Sequence, residues 1–410
     1  MLDVEAIRNF SIDKSNWKKV KFGDVVFEPK ESVKDPVTEG IEHIVGLEHI
    51  DSEDIHLRRS ESIEESTTFT KKFSKGDVLF GRRRAYLKKA AKADFEGICS
   101  GDITVMRARD EKLLPELLPF LVNNDNFFDY AITHSAGGLS PRVKFKDLEK
   151  YEFLLPTLSE QKRLLELFSS VDQLHINSAK TDSKINTLFV SEREKLNFYP
   201  DEGKKLIYHS KLKVDVDSSF EFRTLGSVLK DIKYGTSKKA NMNGQGYGVL
   251  GIPHVVNEKL TVDNIACVDL TESEYKSARL TSGDILIVRT NGNPSYTGRS
   301  ALYDLNEGHA FASYLIKISV DPSEYDQEFL IRYLQTNTIR RYFKRHATTS
   351  AGNYNINTDT IKSVPVPKMP LHNQKEIVTR LKLLEGSMLD SRTYKHESNK
   401  ILKGLTGMVF

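Results

Sequence analysis

The chain has 410 residues, of which 39% are hydrophobic and 29% charged, with a formal net charge of +3. That length holds about two to three domains; no apolar run approaches the roughly 20 residues that span a bilayer, and the N-terminal MLDVEAIRNFSIDKSNW lacks the apolar stretch of a secretory signal. Two cysteines, Cys99 and Cys267, are too few for a disulfide framework or a zinc knuckle, so a reducing, cytoplasmic setting is expected. Net charge alone does not argue for nucleic acid; the local distribution of charge must.

Residues 1–16 are polar and suit a frayed end or a short helix. In WKKVKFGDVV, the alternation of Trp17, Val20 and Phe22 predicts a strand leading into Gly23. HIVGLEHI, GDVLFGR (Gly76 to Arg82) and CSGDITVMRA are further strand candidates. LLPELLPFLVNNDNFFDYAIT predicts one helix, with Pro115 and Pro119 near its start. A small-residue turn, HSAGGLSPR, and KFKDLEKYEFLLP follow. The second half repeats this order: FRTLGSV, GDILIVR (Gly283 to Arg289), ASYLIKISV, the helical YDQEFLIRYLQTNTIRRYFKRH, and the turn and exit TTSAGNYNINTDTIKSVPVP. A repeat with a period near 200 residues is a domain duplication rather than a solenoid.

Two long helices follow the two globular segments, from Thr157 to Leu196 and from Pro370 to Val409. They begin TLSEQKRLLELF and PLHNQKEIVTRL, and Gln161-Lys162 falls on Gln374-Lys375, 374 − 161 = 213 positions later. Thr157 with Glu160 forms a capping box, whereas the second copy has Asn373 in place of Glu160. Apolar residues step by four and three: Leu164, Phe168, Val171, Ile185, Phe189 and Leu196 in the first, and Ile377, Leu381, Leu384, Met388, Leu402, Leu405 and Val409 in the second. Both seams turn polar in the middle, at His175, Ser178 and Asp182 and at Ser391, Lys395 and Ser398; an Asp182–Lys395 pair is expected if the helices run antiparallel. Each helix of roughly 40 residues would be about 60 Å long, and the pair would make a rod with a domain near each end. The alternative is that each helix packs only on its own domain. Gly386, Gly404 and Gly407 weaken the second helix, whose last turns are expected to fray or need a partner.

The expected fold is α+β: two similar mixed α/β domains with mainly antiparallel or mixed sheets, separated by two long antiparallel coiled-coil helices, in a pseudo-twofold internal duplication. The expected partition is 1–156 and 220–368 for the domains, 157–197 and 369–410 for the helices, and a polar linker at 198–219, where Asn197 and Pro200 stop the first helix.

Catalytic motifs are scarce: there is no phosphate-binding Walker loop, HExxH, nucleophile elbow or zinc-ligand cluster. Asn293-Pro294-Ser295-Tyr296 is like the Asn-Pro-Pro-Tyr loop of amino-methyltransferases but is broken by Ser295, and reads better as a turn after GDILIVR. Gly244, Gly246, Gly248 and Gly251 do not sit between a strand and a helix, as a nucleotide-binding turn requires.

What the loops do hold is basic and polar side chains. Lys71, Lys72, Lys75, Arg82, Arg83, Arg84, Lys88, Lys89 and Lys92 are opposed only by Asp77, with Phe80 and Tyr86 interleaved. Such residues suit phosphate contacts, and arginine also reads guanine edges. Ser140 and Arg142 of the SAGGLSPR turn join them as candidates. In the second half the candidates are Arg289, Asn291, Asn293 and Arg299; Tyr234, Thr236, Ser237, Lys238 and Lys239; and Asn353, Tyr354 and Asn355 of SAGNYNIN. Arg340, Arg341, Lys344, Arg345 and His346 crowd a helix end, where they also complement the helix dipole. Equivalent loops thus differ while strands and helices keep their pattern, as expected if each domain reads a different short DNA word.

The chain resembles, over essentially its whole length, the specificity subunits of type I restriction-modification systems. The resemblance rests on the LPTLSEQK and MPLHNQKE helix starts, the GDVLFGR and GDILIVR strands and the SAGG and SAGN turns. It implies two target-recognition domains, each reading half of a bipartite, asymmetric DNA sequence. It implies that the helices set the gap and dock two modification (methyltransferase) subunits, joined by two restriction (motor-nuclease) subunits. The chain itself would be non-catalytic; adenine methylation and cleavage, with S-adenosylmethionine, ATP and magnesium, would belong to the partners. Two other readings stay open: a self-sufficient methyltransferase or nuclease fusion, and a duplicated DNA-binding scaffold without methyltransferase partners.

Overall fold

The computed structural model describes residues 12–62, 68–109, 111–199, 205–256, 258–350 and 352–410. Most of the polar N-terminal segment therefore lies outside the described residues, as do Pro200 and Ala351. The chain divides into two compact units, Met1–Lys180 with Ser391–Phe410, and Thr181–Asp390.

In the first unit an antiparallel sheet runs in the order Val26–Phe27, Ile103–Ala108, Val78–Gly81, Ala90–Lys92. A second sheet runs Glu61–Ser62, His43–Val45, Gly97–Cys99, Lys71–Phe73, with one parallel pairing, Ile44 to Ile98. Lys18–Lys21 pairs with Glu152–Leu155. The second unit repeats each feature: Leu229–Tyr234, Leu315–Val320, Ile285–Val288, Ser300–Leu302 in one sheet; a parallel pairing of Val249 with Ala310 in another; and Phe222–Thr224 against Pro365–Pro367.

The repeated glycine-aspartate that opens each central strand has a local cause. Gly76 and Gly283 take φ of 95° and 96°, where a side chain would be strained. The next residue, Asp77 or Asp284, is buried and accepts the backbone N–H of Ser74 or Thr281, each at 2.8 Å. The cation facing it comes from the neighbouring strand: Arg107 at 2.6 Å from Asp77, Lys317 at 3.5 Å from Asp284.

Each expected single helix is instead two. In the first unit a 3-10 turn, Pro115–Leu117, precedes Leu118–Val122 and then Asp125–Thr133. Asn124 breaks the run because its side chain accepts the Asn126 N–H at 2.7 Å, capping a new helix start. In the second unit Thr336 plays that part between Gln327–Leu334 and Asn337–His346. The expected turn and exit of the second unit is a hairpin, Thr348–Ser350 with Asn353–Asn355, paired onto Thr290–Asn291. The segment expected to be a polar linker forms a second hairpin, Leu206–His209 with Val214–Asp217, which buries Leu212 and Val216 in the core.

The long helices span Leu158–Phe198 and Leu371–Val409. The first passes through Asn197, whose Nδ2 donates back to Arg193 O at 2.6 Å, because the following Phe198 is drawn fully into the core. The capping box forms: Thr157 N donates to Glu160 Oε2 at 2.9 Å, and these bonds hold the Glu160 pKa below its ordinary value. In the first unit Leu164, Phe168 and Val171 meet Leu402, Leu405, Val409 and Phe410, and Phe120 joins the same cluster. The seam therefore serves the domain core as well as helix pairing. In the second unit Phe189 and Leu196 share a core with Ile377 and Leu381, with Leu384 and Met388 packed at its edge and Ile185 half-buried. The pairing in the first unit is antiparallel: Ser391 Oγ donates to Ser178 O at 3.3 Å, and Ser398 lies 3.4 Å from His175. Asp182 is half-buried and Lys395 exposed. The end of the second helix is held rather than frayed, with Asn124 Nδ2 donating to Thr406 O at 2.9 Å and Val409 buried.

The glutamine shared by both helix starts is a clamp. Buried Gln161 accepts the Leu114 N–H at 2.9 Å and donates to Lys112 O at 2.9 Å and Pro156 O at 3.0 Å. Gln374 makes the equivalent three bonds to Asp326 N, Glu324 O and Met369 O. Replacing Gln161 by leucine removes the partner of three backbone groups, of which Pro156 O is buried, and should cost about 1–3 kcal/mol in denaturant unfolding; an unchanged midpoint would contradict the clamp.

Candidate nucleic-acid interface

At the end of each central strand, three segments meet in the same way. Arg82 N donates to Asp102 O at 3.0 Å, and Val143 N to Arg82 O at 3.0 Å. In the second unit Arg289 N donates to Tyr314 O at 3.0 Å, and Ile356 N to Arg289 O at 2.9 Å. Strand end, preceding loop of the next strand and SAG turn thus form one ledge, built twice.

The side chains on the two ledges differ. In the first unit Asp102 lies at the centre: Arg142 Nε donates to its Oδ1 at 2.7 Å and Arg83 Nη1 to its Oδ2 at 3.2 Å. Arg83 Nη2 donates to Ser140 Oγ at 3.1 Å. Burial works against the Asp102 carboxylate, but the hydrogen bonds from Arg142 and Arg83 outweigh it and hold its pKa below the ordinary value. Arg84 is exposed at φ 54°, its N–H donating to Pro141 O at 2.8 Å. Tyr86 and, at the tip of the turn, Leu139 are exposed, Leu139 at 98%.

The other basic residues of the first unit are partly committed elsewhere. Lys88 Nζ lies 2.6 Å from Asp125, a bond that raises the lysine pKa. Lys89 Nζ donates to Leu47 O at 2.7 Å, and Lys71 Nζ to Ile103 O at 2.8 Å. Arg82 lines a separate hollow with Lys30, Lys144 and Lys146, where Glu28 and Glu149 oppose their charge.

On the second ledge no acid corresponds to Asp102; Tyr314 stands there and is exposed. The Arg289 guanidinium lies 4.9 Å from the Tyr234 ring and the Arg299 guanidinium 3.6 Å from the Tyr296 ring. Asn291 accepts the Asn293 N–H at 2.8 Å and Asn293 the Ser295 N–H at 2.9 Å, so 291–296 is a run of side-chain-capped turns. Thr297 donates to Tyr354 O at 3.2 Å, which ties that loop to the hairpin of Asn353, Tyr354 and Asn355. Thr236 is half-buried and pairs by backbone with Phe311 and Ser313, while Ser237 and Lys239 are exposed; Lys238 is held by Glu274 at 2.6 Å.

Other residues have roles that the sequence alone does not assign. Asp102 falls within the CSGDITVMRA strand candidate, but it stands in the turn before Ile103–Ala108, where it faces the basic cluster. Arg340 donates to Ser295 O at 2.5 Å and Thr297 O at 3.2 Å, fixing the 293–297 loop; burial, with the neighbouring Arg299 charge, pulls its pKa down to about 10. Arg345 is likewise structural, donating to Lys211 O and Leu212 O. A glycine–histidine pair also recurs: His49 Nδ1 accepts Gly46 N–H and His254 Nδ1 accepts Gly251 N–H, both at 2.9 Å. Glu48 and Glu61 bring carboxylates near His49, but both are exposed and the imidazole is committed to its turn. Among the described residues no helix is long and apolar enough to cross a membrane.

Comparison with known proteins follows the internal repeat. The model of the type I restriction modification DNA specificity domain matches residues 14–187 and again 217–398. The type I restriction enzyme StySPI specificity subunit of Salmonella potsdam is 28% identical over 161 residues, 39% of this chain and 35% of that protein. The putative type I restriction enzyme MjaX specificity subunit of Methanocaldococcus jannaschii is 24% identical over 221 residues, 52% of this chain and 50% of that protein. The aligned stretches thus span half or less of these relatives' lengths. A solved structure concerned with complex assembly and conformational transition of the type I R-M system is 22% identical, covers 95% of this chain and 97% of its own, and superposes with a TM-score of 0.60. The S subunit from M. genitalium, 16% identical with 97% of each chain covered, gives 0.54. Both show the same fold, and since the family model matches once in each copy of the duplication, the chain belongs to the family of type I restriction modification DNA specificity domains.

Proposed function

We propose that this chain is the non-catalytic specificity subunit of a type I restriction-modification complex, and that each unit reads one half of a bipartite, asymmetric DNA sequence. The observation that carries this reading is the ledge built twice on equivalent backbone bonds with different side chains: Asp102, Arg83 and Arg142 on one, and Tyr314, Arg289 and Tyr234 on the other. A shared scaffold with exchanged reading groups is what two different words require, since backbone contacts position and base contacts specify. In this reading the paired helices set the unread gap and dock two modification subunits, with two restriction subunits joining them. S-adenosylmethionine, ATP and magnesium then serve those partners.

Co-expression with the candidate adenine methyltransferase, followed by mapping of methylated adenines across the host genome, tests this. Methylation in a two-part motif with a fixed gap is the expected result. A continuous motif, or methylation that does not depend on this chain, would contradict it.

A further inference from the structure

We infer that Arg142 reads a guanine in the half-site of the first unit, and that Asp102 is the positioning residue that aims it; this rests on the DNA-reading role proposed above. Arg142 stands on the SAGGLSPR turn, where its backbone pairs with both Ala136 and Arg83. Its Nε is held by Asp102 Oδ1 at 2.7 Å, while Nη1 and Nη2 meet no partner among the described residues. The terminal fork is therefore free, and the bond from Nε restricts the directions in which it can point. Two parallel N–H donors in one plane are what the O6 and N7 acceptors of guanine require in the major groove.

Arg83 has the opposite arrangement. Its Nη1 and Nη2 are taken by Asp102 and Ser140, so it braces the carboxylate from the other side instead of offering its own fork. The carboxylate also selects the ligand. A phosphate brought to Arg142 would carry negative charge toward Asp102, whereas a guanine edge is neutral. Arg84, exposed on the same loop and in no ion pair among the described residues, is better placed for phosphate.

Binding-site selection from a random 30-bp duplex pool tests the inference, using the full chain as wild type, R142K and D102N. R142K keeps the charge and loses the planar fork; D102N keeps the size and loses the carboxylate. The wild type is expected to enrich a two-part motif with a guanine at one position of one half. R142K and D102N should lose roughly 5- to 100-fold of the preference at that position and keep the rest of the motif. Unchanged preference in both variants would overturn the inference and leave the DNA-reading role intact. Loss spread evenly over the motif in R142K, with unfolding at the wild-type temperature, would overturn it in favour of a phosphate contact. Absence of any motif with the wild type would overturn the DNA-reading role, and the inference with it.

Discussion

Replacing Arg289 by alanine is expected to relax recognition of one half of the DNA target by about 1–3 kcal/mol and to leave the other half unchanged. The residue ends the central strand of the second unit, with its backbone gripped on both sides by Tyr314 O and Ile356 N. Its guanidinium rests against Tyr234, and among the described residues its one side-chain bond, from Nη1 to Ser313 O, is long at 3.5 Å. Nε is buried without a partner among the described residues. A base edge that supplied two acceptors would meet the terminal Nη donors, which the protein leaves weakly engaged. The backbone bonds do not depend on the side chain, so the ledge should survive the substitution and the loss should be one of reading. Equal relaxation of both halves would contradict this assignment.

Adding seven residues at equivalent points of both long helices, after Lys180 and after Thr393, should lengthen the unread gap. Seven residues return the apolar face to nearly the same side of a helix and add about 10.5 Å of rise. That is about three base pairs at 3.4 Å each. The two points lie 393 − 180 = 213 apart, the offset of the repeat, so the antiparallel register around Ser178 and Ser391 is changed alike on both strands of the pair. The cores at the helix ends, around Phe168 with Leu405 and around Phe189 with Leu381, are untouched. An insertion in one helix alone slips the seam and should abolish binding. An unchanged gap with full affinity after the double insertion would sink the spacer role.

How much of this was legible in the chain depended on whether the cause was local. The long helices were readable because a seam from Leu164 to Leu196 repeats over tens of residues, and the glycine-aspartate strands because they occur twice. The breaks at Asn124 and Thr336 were not, because a single capping side chain overrode an apolar periodicity that still faces one core. The role of Gln161 and Gln374 was hidden for a different reason: two of the three partners of each lie about 50 residues away, on the loops they clamp. The basic cluster from Lys71 to Lys92 was visible as charge, yet its disposal was not. Lys88 is committed to Asp125 and Arg83 to Asp102, acids distant in sequence that only folding brings near. Counting cations therefore overstated the free ones, and that Arg142 keeps its terminal fork while Arg83 does not could be read only from the fold.

Binding-site selection by the purified full chain, wild type and R289A side by side on the same random duplex pool, tests the two-reader account most directly. The account predicts two short words at a fixed separation for the wild type, and for R289A the same separation with one word blurred and the other kept. A single continuous word, or both words blurred together, would contradict it.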